Sequence, residues 1–163
     1  MGGAREQTDK TSEFEILAPV SGELVPLEKT ADPVFSGRAM GDGVAVDPDG
    51  ETILAPVSGT VAALFPTGHA FAISSDNSSA QVMVHIGIDT VKLNGEGFQA
   101  LVAQGDHVDA GQPVVKIDLS AIRAAGFDPT VFVVACERAE GSTLRERAAG
   151  PVAAKDPVSW LSE

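Results

Sequence analysis

A mostly β chain, folded as an antiparallel β-sandwich or barrel-like sandwich with one or two short helices, is predicted by three observations. From Phe14 onward, apolar segments of strand length are separated by Gly and Pro. The heptapeptide ILAPVSG occurs twice, at Ile16–Gly22 and Ile53–Gly59, and each copy leads through a Ser-Gly turn into another apolar segment. Only one stretch carries helix start and stop signals, Asp118 to Gly126. Repeated strand–turn–strand units suit two copies packed on a common core.

Taken in order, Met1 to Glu13 (MGGAREQTDKTSE) is polar and without periodicity, and it is expected to be a disordered arm with no apolar face for a membrane. Residues 14–163 are expected to form one domain. In the two ILAPVSG copies Pro and Gly fix turns rather than bind anything. Between the copies, Met40-Gly41-Asp42-Gly43 is a turn too short to be a phosphate loop, Val44–Val46 is a strand, and Asp47-Pro48-Asp49-Gly50 is a turn. After the second copy, Gly68–Ile73 is a short apolar run with His69 at its mouth. The link Ser74–Ser79 (SSDNSS) suits a hairpin, and Val82–Ile88 is a strand-like run with His85 in its middle.

Further on, Gln104–Val108 and Ala110–Val114 predict a hairpin leading into Val115–Ile117, with His107 solvated in its polar tip. Asp118 as N-cap, Leu119 and Ile122 three apart, and Gly126 as terminator predict a short helix. Thr130–Cys136 (TVFVVAC) reads as a buried strand ending in an inert thiol. Glu137–Gly150 reads as charged loop with a helical turn. Val152–Val158 echoes Val108–Val114, so a last strand is expected through Trp160.

Composition narrows the function. A net charge of −12 and a pI near 4.5 argue against nucleic acid, whose phosphates require a basic face. Many Val and Ala with a single Trp and no Tyr predict an aliphatic core. One cysteine leaves no internal disulfide and suits a reducing cytoplasm. Without a long apolar run or a signal peptide, a cytoplasmic protein with no membrane insertion is expected.

The chemistry rests on two histidines that adjacent antiparallel strands would bring side by side, His69 and His85. Three uses compete. As a nucleophile, His85 would accept a phosphoryl group, because imidazole is largely unprotonated near neutral pH, and His69 would donate a hydrogen bond to the phosphoryl oxygens. Such a relay needs no metal. As ligands of a zinc-dependent hydrolase, the pair would need a third group from Asp89, Asp76 or His107, none in HxH or HExxH spacing. As a swinging-arm carrier, suggested by phrases such as GDHVDAGQPV, the chain would need a lysine at a hairpin tip, and neither Lys92 nor Lys116 sits at one.

The stretch VHIGIDTVKLNGEGF, with GHAF upstream, the doubled APVSG and MGDGVAV, resembles the glucose-type enzyme IIA family of the bacterial phosphoenolpyruvate:sugar phosphotransferase system. The likeness runs from Phe14 to the C-terminus. It implies a β-sandwich phosphocarrier that takes a phosphoryl group from the phosphocarrier protein HPr and passes it to the cysteine of a IIB domain for sugar uptake. Matched by position, His85 is the phosphorylated residue, through Nε2, and His69 its supporting partner. Thr67 holds the His69 ring, the Gly87 carbonyl orients His85, and Asp89 is a nearby carboxylate. Val34, Phe35, Met40, Phe65 and Val91 match a hydrophobic rim on which partners dock.

Ser79, Gly37 and Met83 depart from the family pattern, where a glycine, an acidic residue and an aromatic are usual. The departures bear on regulatory partners rather than on the transfer. In some relatives the unphosphorylated protein binds regulatory targets and shares a zinc ion with a partner's glutamate. The resemblance thus allows an intermolecular zinc site through His69 and His85, with no cofactor required for the relay. A non-catalytic regulatory module using the same depression is the alternative of another class.

Overall fold

The computed structural model describes residues 13–163. The arm expected at residues 1–13 lies outside them except for Glu13, which is already strand because its backbone pairs with Ser162. Seven strands come from residues 13–48 and 131–163: β1 (Glu13–Leu17), β2 (Gly22–Pro26), β3 (Asp42–Pro48), β11 (Val131–Glu137), β12 (Thr143–Glu146), β13 (Gly150–Val152) and β14 (Pro157–Ser162). Seven more lie between: β4 (Thr52–Leu54), β5 (Gly59–Leu64), β6 (Ala70–Ser75), β7 (Gln81–Ile86), β8 (Phe98–Ala100), β9 (His107–Val108) and β10 (Pro113–Ile117). Two short helices, α1 (Pro33–Ser36) and α2 (Leu119–Ala124), complete the mostly β fold. No described helix is long and apolar enough to cross a membrane.

An eight-stranded antiparallel sheet in the order β13-β2-β3-β11-β7-β6-β5-β9 faces two three-stranded sheets, β1-β14-β12 and β4-β10-β8. This arrangement is a nested duplication. The two ILAPVSG copies pair reciprocally: Leu17 N donates to Pro56 O at 2.9 Å and Leu54 N donates to Pro19 O at 2.8 Å. Each copy also donates a matching bond to one of the two echoing segments, Ala18 N to Asp156 O at 2.7 Å and Ala55 N to Gln112 O at 2.8 Å. Lys155 N and Gly111 N return to Ala18 O and Ala55 O, and both residues are left-handed, with φ of 76° and 88°. The pseudo-two-fold axis passes between β7 and β11 at the facing pair Val84 and Val133. The inner unit, β4 to β10, is continuous in sequence. The outer unit is split around it.

Alternation along the strands gives the large sheet two faces. Leu24, Val44, Val46, Val131, Val133, Val82, Val84, Ile86, Phe71, Ile73 and Val61 point inward, where Ile16, Ile53, Val115, Ile117 and Val158 of the small sheets meet them. The aliphatic core expected from composition is this cluster. The other face carries Val25, Ala45, Phe132, Val134, Met83, Ala72 and Ala63, with Leu27 and Phe35 laid on it. One row across the strands reads Ala70, His85, Phe132, Ala45, Val25. Small residues on either side of the large ones leave a shallow dish.

Two expectations need correction. The segment around residues 104–117 is not a hairpin. β9 caps the β5 edge of the large sheet, and the turn at Gly111 carries the chain across to β10 in a small sheet. Glu137–Gly150 contains β12 rather than a helical turn, because Thr143–Glu146 pairs with β14. Besides the expected α2, capped by Asp118 accepting from Ala121 N, there is α1, whose Asp32 carboxylate accepts from Val34 N with Pro33 at its first turn.

The related glycines Gly22 and Gly59 stand at close backbone approaches. A Cβ would lie 2.0 Å from Asp47 O in one and 2.0 Å from Ser74 O in the other. Gly22→Ala and Gly59→Ala should therefore each cost about 2–4 kcal/mol in urea unfolding, and exposed Thr60→Ala under about 0.5 kcal/mol. Near-neutral glycine variants would contradict the paired close approach.

Candidate functional site

His85 lies on β7 two residues after Met83, on the outer face of the large sheet, and it is half-buried. Past the strand end, Gly87 turns the chain at φ 82°, and a side chain there would meet Thr90 Cγ2 at 2.3 Å. The Thr90 hydroxyl donates to Ile86 O, while Gly87 N and Ile88 N donate to Thr130 O and Asp128 O. The turn so held brings Gly87 O to 2.9 Å from His85 Nδ1. A carbonyl oxygen only accepts, so Nδ1 carries the proton and Nε2 keeps its lone pair. Sequence assigned this bond through the family; the geometry gives it directly.

By strict alternation His69 would share the core face with Phe71 and Ile73. It stands one residue before β6, after the bend at Gly68, where alternation no longer applies. His69 O accepts from Ile86 N at 2.7 Å, and its ring lies 5.2 Å from the His85 ring at 83°. Its Nδ1 is 2.5 Å from Thr67 Oγ1. A hydroxyl can donate or accept there, so His69 is free to present either a proton or a lone pair at Nε2. His69 is 3% exposed and His85 half-buried, so His85 is the more open of the two residues.

Both imidazoles favour the neutral form. Burial lowers the His69 pKa below 6.5, and the neighbouring His85 lowers it further. Burial also lowers that of His85, opposed by the Gly87 carbonyl and by the charges of Asp32 and Asp89. Asp89 is exposed, left-handed at φ 62°, and makes no side-chain cap to the turn that follows, so its influence on the site is electrostatic. Asp32 was missed from sequence; the Asp-Pro start of α1 was its only signal.

Of the expected rim, Val34, Met40, Phe65 and Val91 are 47%, 39%, 46% and 49% exposed, an unusual degree for large apolar side chains. The Phe65 ring meets His69 edge-on at 5.2 Å. Phe35 is a correction. It is 4% exposed, stacks on Phe132 at 4.2 Å, and reaches to 5.2 Å from His85, so it is the floor of the dish and not its rim. Phe132, on the neighbouring strand and 6.3 Å from His85, belongs to the same floor.

Other chemistries find little. His107, three strands along, is exposed and pairs with Asp76 at 2.6 Å, not with the flanking aspartates. That pairing takes both residues away as partners of the histidine pair. Among the described residues no group of three His, Cys, Asp or Glu could hold a metal ion. Lys116 is in mid-strand and Lys92 in a 3-10 turn, so neither is at a hairpin tip. Cys136 is half-buried, with its thiol pKa raised chiefly by burial. An open depression of about 610 Å³ beside β8 and β10, lined by Glu51, Phe98, Lys116 and Asp118 among others, includes neither histidine.

Residues 14–140 match the family described as phosphoenolpyruvate-dependent sugar phosphotransferase system, EIIA 1. A glucose-specific EIIA component of Bacillus cereus is 45% identical over 114 residues, 70% of this chain and 68% of that protein. A glucose-specific EIICBA component of Streptococcus pneumoniae is 43% identical over 145 residues, 89% of this chain but 20% of that protein. The chain thus spans about a fifth of the length of that multidomain relative. Among solved structures, the glucose permease IIA of Mycoplasma capricolum superposes with a TM-score of 0.81 at 35% identity, covering 91% of this chain and 95% of that one.

NMR titration should give midpoints below 6.5 for His69 and His85 and above it for exposed His107, whose charged form Asp76 favours. The unfolded chain binds more protons at the two buried rings. Their contribution to stability is therefore complete above about pH 6.5 and is lost as pH falls towards the folded-state values. Urea unfolding from pH 7.5 to 5 should show this decline, and a smaller one in His85→Gln.

Proposed function

The chain belongs to the EIIA 1 family of the phosphoenolpyruvate-dependent sugar phosphotransferase system, and from that premise we propose that His85 Nε2 takes a phosphoryl group from phosphorylated HPr and yields it to a IIB domain. The observation that carries this reading is the bond from His85 Nδ1 to Gly87 O, which leaves Nε2 unprotonated. As Nε2 bonds to phosphorus, the bond from phosphorus to the donor's leaving atom breaks. The proton on Nδ1 stays where it is, and the ring takes the positive charge of an N-phosphorylated imidazolium. When the acceptor's nucleophile attacks, the electron pair of the breaking N–P bond returns to Nε2 and neutral imidazole leaves. Retaining the Nδ1 proton makes His85 a competent leaving group.

His69 serves the phosphoryl oxygens. With Thr67 Oγ1 donating to its Nδ1, His69 carries its proton on Nε2, where it can bond to an oxygen that gains charge in the transition state. Positioning and electrostatics supply most of the catalysis in such a transfer. Val34, Met40, Phe65 and Val91 form an apolar collar for transient partners, whose binding must be specific yet quickly reversed. The names of the relatives suggest glucose as the sugar served, and the relay acts in the cytoplasm. For a zinc ion bridging to a partner, His69 and His85 would supply two nitrogen ligands and the partner the rest. Such an ion would act as a structural cross-link, outside the transfer itself.

Incubation with phosphoenolpyruvate, enzyme I and HPr should give one acid-labile, base-stable phosphoryl group, mapped by mass spectrometry to His85. His85→Gln should abolish acceptance. His69→Gln should accept but transfer to the IIB domain slowed by about 10²–10³-fold, the scale for losing one transition-state donor. A modified residue other than His85, or normal onward transfer by His69→Gln, would overturn the assignment.

A further inference from the structure

We propose that Arg38 is a positioning residue for this site, resting on the reading of His85 as phosphoryl acceptor: its guanidinium fastens the segment Leu27–Gly41 to β12 of a three-stranded sheet and to the start of β3, and so seats Phe35 against His85. The segment has little to hold itself in place. α1 is four residues long, one turn, too short to be stable by its own hydrogen bonds. Its anchors are the buried Leu27 and Phe35, and then the charges at Arg38.

Arg38 follows α1 in the left-handed region at φ 62°, uncommon for a residue with a side chain. Its Nη1 donates to Glu146 at 2.7 Å and to Asp42 at 3.0 Å, and its Nη2 to Glu146 at 3.2 Å and Glu28 at 3.1 Å. The forked pair with Glu146 joins the segment to β12. The Asp42 bond joins it to β3, and the Glu28 bond closes the segment on its own 3-10 turn at Leu27–Lys29. Arg138 shares Asp42 at 2.9 Å. Remove Arg38, and the three carboxylates keep only Arg138, at Asp42, and Lys29, near Glu28, to offset them, so the fastening is lost and Glu146 is left without its partner.

The segment is also the source of much of the site. Val34 and Met40 of the collar, Asp32 beside His85, and the Phe35 floor all come from it. Backbone bonds tie Arg38 to Phe35 and to Gly41, next to Met40: Arg38 N donates to Phe35 O at 2.9 Å and Gly41 N to Arg38 O at 3.2 Å. Loosening the guanidinium therefore alters the surface that a donor protein meets. A lysine would keep one charge but lose the planar fork that spans Glu146.

The test compares Arg38→Met, Arg38→Lys and Glu146→Gln in the full chain, with Arg147→Met as a control for loss of an arginine ion pair elsewhere. NMR reads the ring-proton shifts of His85, which the Phe35 ring displaces, and amide exchange at residues 34–39. Steady-state transfer reads KM and kcat with phosphorylated HPr. In Arg38→Met the His85 ring shifts should move, amide protection at 34–39 should fall, and KM should rise on the order of ten-fold with a smaller change in kcat. Arg38→Lys should be intermediate, Glu146→Gln should follow Arg38→Met in direction, and Arg147→Met should leave all three readouts unmoved. Should Arg38→Met not fold, Glu146→Gln alone carries the NMR test. Unchanged His85 shifts and unchanged protection in the folded variants would overturn the proposal. These NMR readouts need no phosphoryl transfer, so a parent chain that is not phosphorylated would count against the relay and leave Arg38 to be judged by itself.

Discussion

Everything at the site follows from where one proton is kept. The Gly87 carbonyl can only accept, so His85 must donate through Nδ1, and its other nitrogen keeps a bare lone pair. That bond exists because the chain can turn left-handed at residue 87, where no Cβ crowds Thr90, and because Thr130 and Asp128 hold the turn from β11's side. Burial disfavours the charged ring and outweighs the Gly87 carbonyl, which favours it. Geometry fixes which nitrogen reacts, and desolvation keeps it reactive.

The duplication explains why such a site occurs once in a fold with two halves. Across the pseudo-axis, β3 and β11 answer to β6 and β7. Val134 on β11 takes the place of His85, and Asp42 on β3 that of His69. One half of the outer face became a dish holding two imidazoles, and the corresponding part of the other a cluster of guanidinium and carboxylate groups. The same backbone frame supports both. What differs is the side chains placed at equivalent registers, together with the α1 segment laid across the face between them.

Much of the frame could be read from residues alone. The doubled ILAPVSG and the echo between Val108–Val114 and Val152–Val158 are the two reciprocal contacts of the duplication written out in sequence. Asp118 capped its helix as its chemistry suggests. Phe35 misled because sequence position cannot tell the floor of an apolar depression from its rim; stacking on Phe132 decides that, and Phe132 is nearly a hundred residues away. Arg38 was not read as part of the site, since Glu146, which takes its forked pair, is 108 residues away on β12. Reading Glu137–Gly150 as loop concealed that strand, because its charged residues alternate with few apolar ones and its pairing with β14 supplies most of its order.

The nesting of one unit inside the other also bears on how the chain comes together during synthesis. β4 to β10 leave the ribosome as an unbroken run and can begin closing on themselves through nearby pairings such as β5 with β6 and β6 with β7. β2 and β3 emerge earlier and can pair with each other, but β1 and the far edges of β2 and β3 must wait, since β14, β13 and β11 are made only after β10. Pairings across so long a stretch of chain are entropically costly and slow to form. Until then β1 and β3 each lack a neighbour that the finished sheets supply, and their open edges are the surfaces most in need of shielding on a nascent chain.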